Sequence, residues 1–344
     1  MRLVSGRLLI APTDLATFNS CRHKTGLDLA VAHGVLERPH YTDPYAAILQ
    51  RKGEEHEARY VESLQARGLR VVRVAAGEET SFDARVARQS DDTLAAMQAG
   101  ADVIVQARLS ANGMAGYADI LMRVERPSAL GAWSYEAHDT KLARETRGGA
   151  VLQLCAYSEM LSELQGGLPE HFHVVTPDPE HPVHSFRTSD FLAYYRMVRA
   201  AVRDAIALGH EVLLERHYPE PVEHCAVCAW EARCLGRRRR DDHLSFVAGT
   251  ARLHRVELVA QGHPTLTAVA GMPVPVTFTP ARGARDTYGR IGHQARVQHQ
   301  QRTTRQPVVE RLPVAPARAH ACRRRPRVTC SWTWKARDSP GGRT

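Results

Sequence analysis

Hydrophobic and polar positions follow helix and strand periods through most of the chain. Apolar residues at helical spacing predict helices at 46–67, 91–99, 149–164 and 189–208. A further helix is predicted to begin near Ala11, with Thr13 as its N-cap, and to run into Cys21. Short apolar or alternating runs predict strands at 69–74, 102–107, 116–124, 133–142 and 172–175. This order of helix, strands, helix, strand and helix predicts an α/β fold, a small mixed central sheet flanked by helices.

The pattern changes after about residue 249. Residues 252–270 predict a short helical element, and 258–262 followed by Thr265 and Leu266 resembles half of a helix–hairpin–helix module. Residues 319–344 are rich in Arg, Pro and Gly and show no period, which predicts disorder. We therefore expect a main domain at 1–250, a helical connector at 251–318 and a basic, disordered tail at 319–344.

The charge balance changes the picture only in part. The 344 residues carry a formal net charge of +9, which favours nucleic acid as a partner. Basic residues accumulate at 237–240 and from Arg302 onward, so part of the excess belongs to the tail or to a nucleic-acid-binding arm there. No apolar run reaches the ~18 residues that a membrane span needs, and no signal peptide is evident, so we expect a cytoplasmic protein without a membrane partner.

Two acidic residues and a lysine fall on neighbouring predicted strands. Asp139 and Lys141 are two residues apart in a strand, so their side chains point to the same face. If strand 116–124 pairs with theirs, Asp119 can approach them. Two carboxylates suit Mg²⁺ or Mn²⁺, which can activate water and stabilise charge on a phosphate, and a lysine can orient or deprotonate that water. Glu136 competes as a carboxylate, but an ideal strand turns it to the opposite face.

Three more polar residues accompany this set. Gln153 and Tyr157 are four residues apart in a predicted helix and share one of its faces. His56 lies on an upstream predicted helix and could supply a metal ligand. Taken singly, each of these residues fits a solvated surface or an ordinary packed position. Their order within the strand pattern is what favours catalysis.

Four of the seven cysteines frame the same region. They are Cys21 near the start and Cys225, Cys228 and Cys234, spaced as Cys-x2-Cys-x5-Cys. In a reducing compartment, clustered cysteines favour metal binding over disulfides, and four sulfurs suit zinc or an iron–sulfur cluster. Spacing does not separate the two, and His23 and His224 keep a mixed zinc site open. Cys155 lies in an apolar pattern that predicts a core thiol.

Asp119, Asp139-x-Lys141 and Gln153-x3-Tyr157, with His56 upstream, resemble the RecB-like branch of the PD-(D/E)XK nuclease superfamily. The resemblance implies a restriction-endonuclease-like core. It also implies that His56, Asp119 and Asp139 hold the metal, that Lys141 is the catalytic lysine, and that Gln153 and Tyr157 position the substrate or the lysine.

The cysteine layout resembles iron–sulfur nucleases of that superfamily, the AddB-type and CRISPR-associated exonucleases. There, one N-terminal and three C-terminal cysteines hold a [4Fe–4S] cluster. The same ligands here would be Cys21, Cys225, Cys228 and Cys234. The cluster would be a structural clasp that joins the two ends of the domain, with zinc as the alternative.

The resemblance covers about residues 1–318 and implies an Mg²⁺- or Mn²⁺-dependent deoxyribonuclease in DNA repair, recombination or defence. We expect an exonuclease that acts on single-stranded or frayed DNA ends, with a helicase in cis or in trans. Arg144 and Arg147 would contact the phosphate backbone or else be solvated charges. The sequence after 318 departs from the family, so we expect a truncated form of a longer nuclease–helicase protein with an out-of-frame end. The alternatives are a non-catalytic nucleic-acid-binding module and an inactive fragment.

Overall fold

A computed structural model describes residues 1–40, 44–77, 81–180 and 182–310. The chain divides into two compact units, the first formed by Met1–Asp241 and the second beginning at Asp242. The expected tail at 319–344, and residues 311–318 of the expected connector, lie outside the described residues. Within the described part of the chain, no helix has both the length and the apolar character needed to cross a membrane.

The first unit contains both strands and helices. Its strands are β1 (Arg2–Val4), β2 (Arg7–Leu9), β3 (Val71–Arg73), β4 (Val103–Ala111), β5 (Met114–Val124), β6 (Ser134–Thr140), β7 (His171–Val175) and β8 (Val183–Arg187). Its helices are α1 (Pro12–Ser20), α2 (Arg22–Ala32), α3 (Pro44–Ala66), α4 (Phe82–Gln98), α5 (Gly148–Gln165), α6 (Leu192–Arg216) and α7 (Glu231–Arg240). The second unit is helical, with α8 (Arg252–Ala260), α9 (Leu266–Ala270) and α10 (Arg285–Thr304).

Strands β3 to β8 form a six-stranded mixed sheet in which spatial order follows sequence order. β3 is parallel to β4 and β6 is parallel to β7, whereas the other neighbouring pairs are antiparallel. Parallel neighbours need a crossover connection, and α4 and α5 supply the two crossovers. The predicted α/β fold with a mixed sheet flanked by helices is confirmed.

The two faces of this sheet pack against different helices. Val103 and Ile120 contact Val61 and Leu64 of α3 in one apolar cluster. Ile104 and Leu121 belong to a larger cluster that includes residues of α1, α5 and α6. Because side chains alternate along a strand, neighbouring residues serve opposite faces. The central strands are therefore buried on both sides, which gives the sheet the support that a polar site at its edge requires.

Several local predictions were wrong at element ends. The N-cap of α1 is Ala11 rather than Thr13, because Pro12 occupies the first helical position. Asp14, at the third helical position, accepts a hydrogen bond from the Ala11 backbone N–H at 2.8 Å. α4 begins at Phe82 after Ser81, whose side chain accepts from Ala84 N, and is longer than the predicted 91–99. These caps determine the starts of the helices locally.

Five elements of the first unit were not predicted at all. They are the short strands β1 and β2, the edge strand β8 and helices α2 and α7. Helix α2 starts directly after Cys21, whose sulfur accepts a hydrogen bond from Lys24 N at 3.4 Å. The predicted first helix ends at the right place, and a second helix then begins within one residue. Cys21 therefore lies at the junction of two helices.

A close approach at Gly116 holds α1 and α5 against β5. A Cβ at this position would lie 2.8 Å from Pro12 Cδ and 3.0 Å from Tyr157 Cε1. We expect Gly116→Ala to lower the free energy of unfolding by roughly 1–3 kcal/mol, because neither ring can move without disturbing a helix. Urea unfolding measures this change.

Gly53 provides the control because it lies inside α3 with no neighbouring atom within 4 Å of the added Cβ. Gly53→Ala should raise the free energy of unfolding by roughly 0.5–1 kcal/mol through helix propensity. Equal effects of the two substitutions would contradict the packing argument.

Candidate active site and cysteine cluster

The pairing of β5 with β6 brings Asp119 and Asp139 together. Ile120 pairs with His138 in the antiparallel ladder, so Asp119 and Asp139 stand one position beyond this pair. Thr140 confirms the proximity, since its backbone N–H and its hydroxyl donate to Asp119 Oδ2 at 2.8 and 3.0 Å. The sequence-based expectation that Asp119 approaches this strand end is therefore met.

Asp139 is a buried carboxylate with incomplete hydrogen bonding. It is 1% exposed, its Oδ2 lies 2.6 Å from Lys141 Nζ, and its Oδ1 accepts from Gln153 Nε2 at 3.4 Å. Oδ2 is thus paired with the Lys141 ammonium, and no second donor reaches it within the described residues. Burial raises the pKa of Asp139 to about 7; the Lys141 charge opposes this rise and the Asp119 charge adds to it.

Helix α5 supplies the next two residues of the predicted set. Gln153 Nε2 lies 3.4 Å from Asp139 Oδ1 and 3.3 Å from Tyr157 Oη. Tyr157 Oη donates to the carbonyl oxygen of Tyr117 on β5 at 2.5 Å, and burial raises the pKa of its hydroxyl. A continuous polar contact therefore runs from β5 through α5 to Asp139.

His56 lies close to this site but faces the backbone. Its Nε2 is 3.3 Å from the carbonyl oxygen of Val175, at the end of β7. The same carbonyl accepts the backbone N–H of Lys141 at 2.9 Å. Within the described residues no hydrogen bond joins His56 to Asp119 or Asp139. The structure thus places the imidazole beside the lysine's main chain rather than against the carboxylates.

Two residues that the sequence analysis missed belong to this neighbourhood. Gln106 donates through Nε2 to both carboxylate oxygens of Glu57, at 3.0 and 3.1 Å. Burial raises the pKa of Glu57, the Gln106 bond lowers it, and the Asp119 charge raises it again. Glu57 directly follows His56, so a sequence signal for a third carboxylate existed. Gln106 has φ of 55° inside β4, a conformation that a non-glycine residue does not reveal in sequence.

Glu136 is turned away from these residues, as its position in the strand predicted. Its Oε1 accepts a hydrogen bond from the backbone N–H of His171 at 2.9 Å. Its Oε2 lies 2.9 Å from His173 Nε2. Burial raises the pKa of Glu136, but the bonds from His173 and from His171 N outweigh this and leave the pKa below its usual value. Glu136 is thus a satisfied carboxylate, in contrast to Asp139 on the same strand.

The four framing cysteines line one small cavity of about 10 Å³. Cys21 lies between α1 and α2, Cys225 and Cys228 lie at the turn Glu223–Val227, and Cys234 lies in α7. Burial raises the thiol pKa of Cys21, Cys228 and Cys234, and the neighbouring cysteines contribute to the rise in each case. The resulting pKa of Cys234 is about 12. The volume is that of about one water molecule.

The two histidines considered for a mixed site differ in position. His23 Nδ1 lies 2.6 Å from the carbonyl oxygen of His217, and His23 lines another cavity. His224 lines the cysteine cavity, and its Nε2 is buried without a hydrogen-bond partner among the described residues. Burial, and then the Lys24 charge, lower the pKa of His224. Of the two, His224 alone fits a mixed cysteine–histidine site.

Neither cluster is preassembled around a metal. Within residues 1–40, 44–77, 81–180 and 182–310, no group of three or more His, Cys, Asp or Glu residues stands in metal-binding geometry. The donor chemistry nevertheless fits. The Asp139 carboxylate supplies oxygen ligands suited to a hard cation, and four thiols converge on one cavity suited to a soft one.

Exposed arginines follow the lysine. Arg144 and Arg147 are exposed, and Arg147 is the N-cap residue of α5. Arg147 also lines an open cavity of about 520 Å³, together with Ser20 and His224. This position suits a contact with a phosphate group near the start of α5, although the exposure of Arg144 is equally that of a solvated charge.

Comparison with protein-family models and with curated proteins gave no match. Any function must therefore be argued from the residues and their geometry. The geometry that is available consists of a buried carboxylate, a lysine, a second carboxylate on the paired strand and a separate set of four thiols.

The raised pKa of Asp139 predicts a stability cost in the metal-free protein. Its folded pKa of about 7 exceeds the ordinary value of 3.8, so the cost appears as pH rises between these values and is complete above 7. We expect Asp139→Asn to raise the melting temperature at pH 8 in EDTA by at least about 3 °C, and the gain should shrink toward pH 5.

Glu136→Gln is the matched comparison because the pKa of Glu136 is lowered rather than raised. That substitution should lower the melting temperature at pH 8. A decrease for Asp139→Asn as well would show that the ion pair with Lys141 outweighs the cost of burial.

Proposed function

We propose that the domain expected at residues 1–250, which includes the whole first unit at Met1–Asp241, is a metal-dependent deoxyribonuclease of the RecB-like PD-(D/E)XK type. It would hydrolyse DNA phosphodiester bonds, preferentially as an exonuclease on single-stranded or frayed ends. One observation carries the proposal: Asp139, buried at the end of β6, contacts Lys141 and Gln153 and faces Asp119 across the β5–β6 pair. Such a restriction-endonuclease-like arrangement is compatible with the six-stranded sheet.

Asp119 and Asp139 would hold Mg²⁺ or Mn²⁺. His56 is a further candidate ligand, and Glu57 joins it because its carboxylate is influenced by the Asp119 charge. When bound at such a site, the divalent cation supplies an activated water and offsets the negative charge on the phosphate. The burial of the Asp139 carboxylate supports this assignment, since a buried negative charge is stabilised by nearby cations.

The side chains of the chain itself have separable roles in this proposal. Lys141 Nζ, beside Asp139, is placed to orient a water molecule and to offset charge that develops on phosphate oxygens. Gln153 holds the orientation of Asp139 from α5, and Tyr157 fixes Gln153 against β5. Arg147 would contact the DNA backbone near the start of α5. Lys141 is therefore the catalytic residue, and Gln153 and Tyr157 are positioning residues.

The four cysteines would form a structural metal clasp between α2 and α7. Their spacing resembles that of the iron–sulfur nucleases, which favours a [4Fe–4S] cluster, with zinc as the alternative. The small cavity is closer in size to a single ion, so a cluster requires the thiols to move outward. Four thiolates leave no open coordination position, which argues against a hydrolytic role for this centre. A helicase, in cis or in trans, would supply unwound DNA to such an enzyme.

A non-catalytic nucleic-acid-binding module is the second candidate. The observations that favour it are the contacts of Asp119 Oδ2 with Thr140 and of His56 with the backbone of Val175. Both groups are occupied by protein partners rather than facing an open site. The two candidates differ in whether the wild-type protein cleaves DNA or only binds it.

Cleavage of end-labelled single-stranded DNA with Mn²⁺, by anaerobically purified protein, tests the nuclease proposal. We expect Lys141→Ala and Asp139→Asn each to reduce the rate at least about 100-fold, because charge stabilisation or metal binding is lost. The rate should be expressed per folded molecule.

Glu136→Gln is the control because it removes a buried carboxylate three residues away on the same strand. It should retain cleavage. Equal cleavage by wild type and Lys141→Ala would refute the site, and binding without cleavage by wild type would favour the non-catalytic module.

The clasp predicts that Cys228→Ser lowers the melting temperature and the metal content before it lowers intrinsic chemistry. A lost thiolate weakens a centre that joins α2 to α7, far along the chain from Lys141. Iron, acid-labile sulfide and zinc are measured alongside the melting temperature, and these separate the cluster from zinc.

Cys155→Ala is the comparison, because Cys155 is fully buried in the main core and does not line the cysteine cavity. It should lower stability while leaving the metal content unchanged. A normal melting temperature with lost cleavage in Cys228→Ser would argue against a structural clasp.

A further inference from the structure

A second, basic cavity lies beside α7 and shares Leu27, Pro219 and Cys234 with the cysteine cavity. It has a volume of about 360 Å³, and its basic lining consists of Arg233, Arg237 and Arg240 of α7 together with His23 of α2. No acidic residue lines it within the described part of the chain. The three arginines are spaced i, i+4 and i+7, so they share one face of the helix.

The consecutive arginines at the end of α7 point in different directions. Arg238 is 3% exposed and turns inward to Glu231, with an N–O distance of 2.8 Å. Arg239 is exposed and does not line the cavity. Arg237 and Arg240 do line it. Of the four consecutive arginines at 237–240, one is therefore buried, one is exposed to solvent, and two line the cavity.

Arg237 is held in place before any ligand arrives. Its guanidinium carbon lies 5.0 Å from the centre of the Tyr218 ring, and its Nε is 3.7 Å from Asp241 Oδ2. Tyr218 Oη in turn donates to that carboxylate at 2.8 Å. Arg233 and Arg240 form no ion pair within the residues that the structure describes, so their guanidinium groups are available to an anion. Arg237 is therefore positioned in advance, and Arg233 and Arg240 can close on an anion beside it.

We propose that this cavity binds phosphate groups of single-stranded nucleic acid through Arg233, Arg237 and Arg240. A guanidinium group can donate two parallel N–H groups to one phosphate. Three such groups around one cavity can contact more than one phosphate oxygen or more than one phosphate. The choice of nucleic acid as the source of the phosphate rests on the proposed nuclease function. The anion site itself rests on the arrangement of the arginines, and its test does not depend on cleavage.

Binding of a fluorescein-labelled oligothymidylate in EDTA, at several salt concentrations, tests the site without cleavage. Compared with wild type, Arg233→Gln/Arg240→Gln should raise the Kd roughly tenfold or more near 0.1 M salt. The slope of log K against log salt should become shallower by about 1.4, that is about 0.7 for each lost phosphate contact on a single strand.

The matched control is Arg67→Gln/Arg239→Gln, which removes the same charge from two exposed arginines outside the cavity. It should change the Kd and the slope much less. Arg240→Lys should retain most of the slope of wild type, because the point charge remains. Equal losses in both double variants, or no loss in either, overturn the site. Unchanged melting temperature and metal content in Arg233→Gln/Arg240→Gln exclude a folding defect, and Arg240→Gln alone serves if the double variant is unstable.

Inorganic phosphate distinguishes the two sources of the anion. At constant ionic strength, phosphate should weaken oligonucleotide binding by wild type more than by Arg233→Gln/Arg240→Gln. If phosphate instead raises only the wild-type melting temperature while both proteins bind the oligonucleotide equally, the cavity serves a free phosphate and the nucleic-acid assignment is overturned. Should the nuclease proposal fail, wild type would not cleave DNA, yet this binding difference would persist.

Discussion

The register between β5 and β6 is the constraint on which the candidate site depends. It places Asp119 across from Asp139 and lets Thr140 bond Asp119 from the neighbouring strand. A slip of one residue would reverse the faces of every side chain in β6 and would exchange the places of Asp139 and His138. The register is secured by burial on both faces, since the neighbouring residues Ile120 and Leu121 of β5 pack into two different apolar clusters. The core thus determines the chemistry at its edge.

That core also supports departures from ordinary local rules. Asp139 is a buried carboxyl group whose pKa burial raises to about 7, and Gln106 adopts a left-handed conformation within β4, opposite the Asp119 region. Each departure costs free energy, and such departures persist where the surrounding structure enforces them. Glu136 shows the contrast, because the same strand buries it with donors on both oxygens. The difference between two carboxylates three residues apart is a stronger functional signal than either burial alone.

The sequence predicted those parts of the fold that have long hydrophobic patterns. Strands β5 and β6 and helix α5 were found because each is bounded by turns and presents a regular apolar face. β1 and β2 escaped because strands of three residues are too short to show a period, and β8 because its alternation is that of a half-exposed edge strand. α2 was hidden because Cys21 alone separates it from α1. At the site, spacing predicted the Asp139–Lys141 contact, whereas the Glu57–Gln106 bond depends on tertiary structure that no local pattern encodes.

The cysteine cluster and the basic cavity both depend on the position of α7, because residues of this helix line both. Arg238 is the buried residue of this helix, and its apolar neighbourhood is a small cluster centred on Leu27, Cys228 and Trp230. This cluster is small, and Trp230 Nε1 adds a hydrogen bond to Asp28 of α2 at 3.1 Å. Metal–thiolate bonds would add further free energy, since a structural metal contributes its binding energy to folding. The clasp would then also fix the positions of the α7 arginines. A metal centre without a hydrolytic role would in this way influence the proposed binding of nucleic acid.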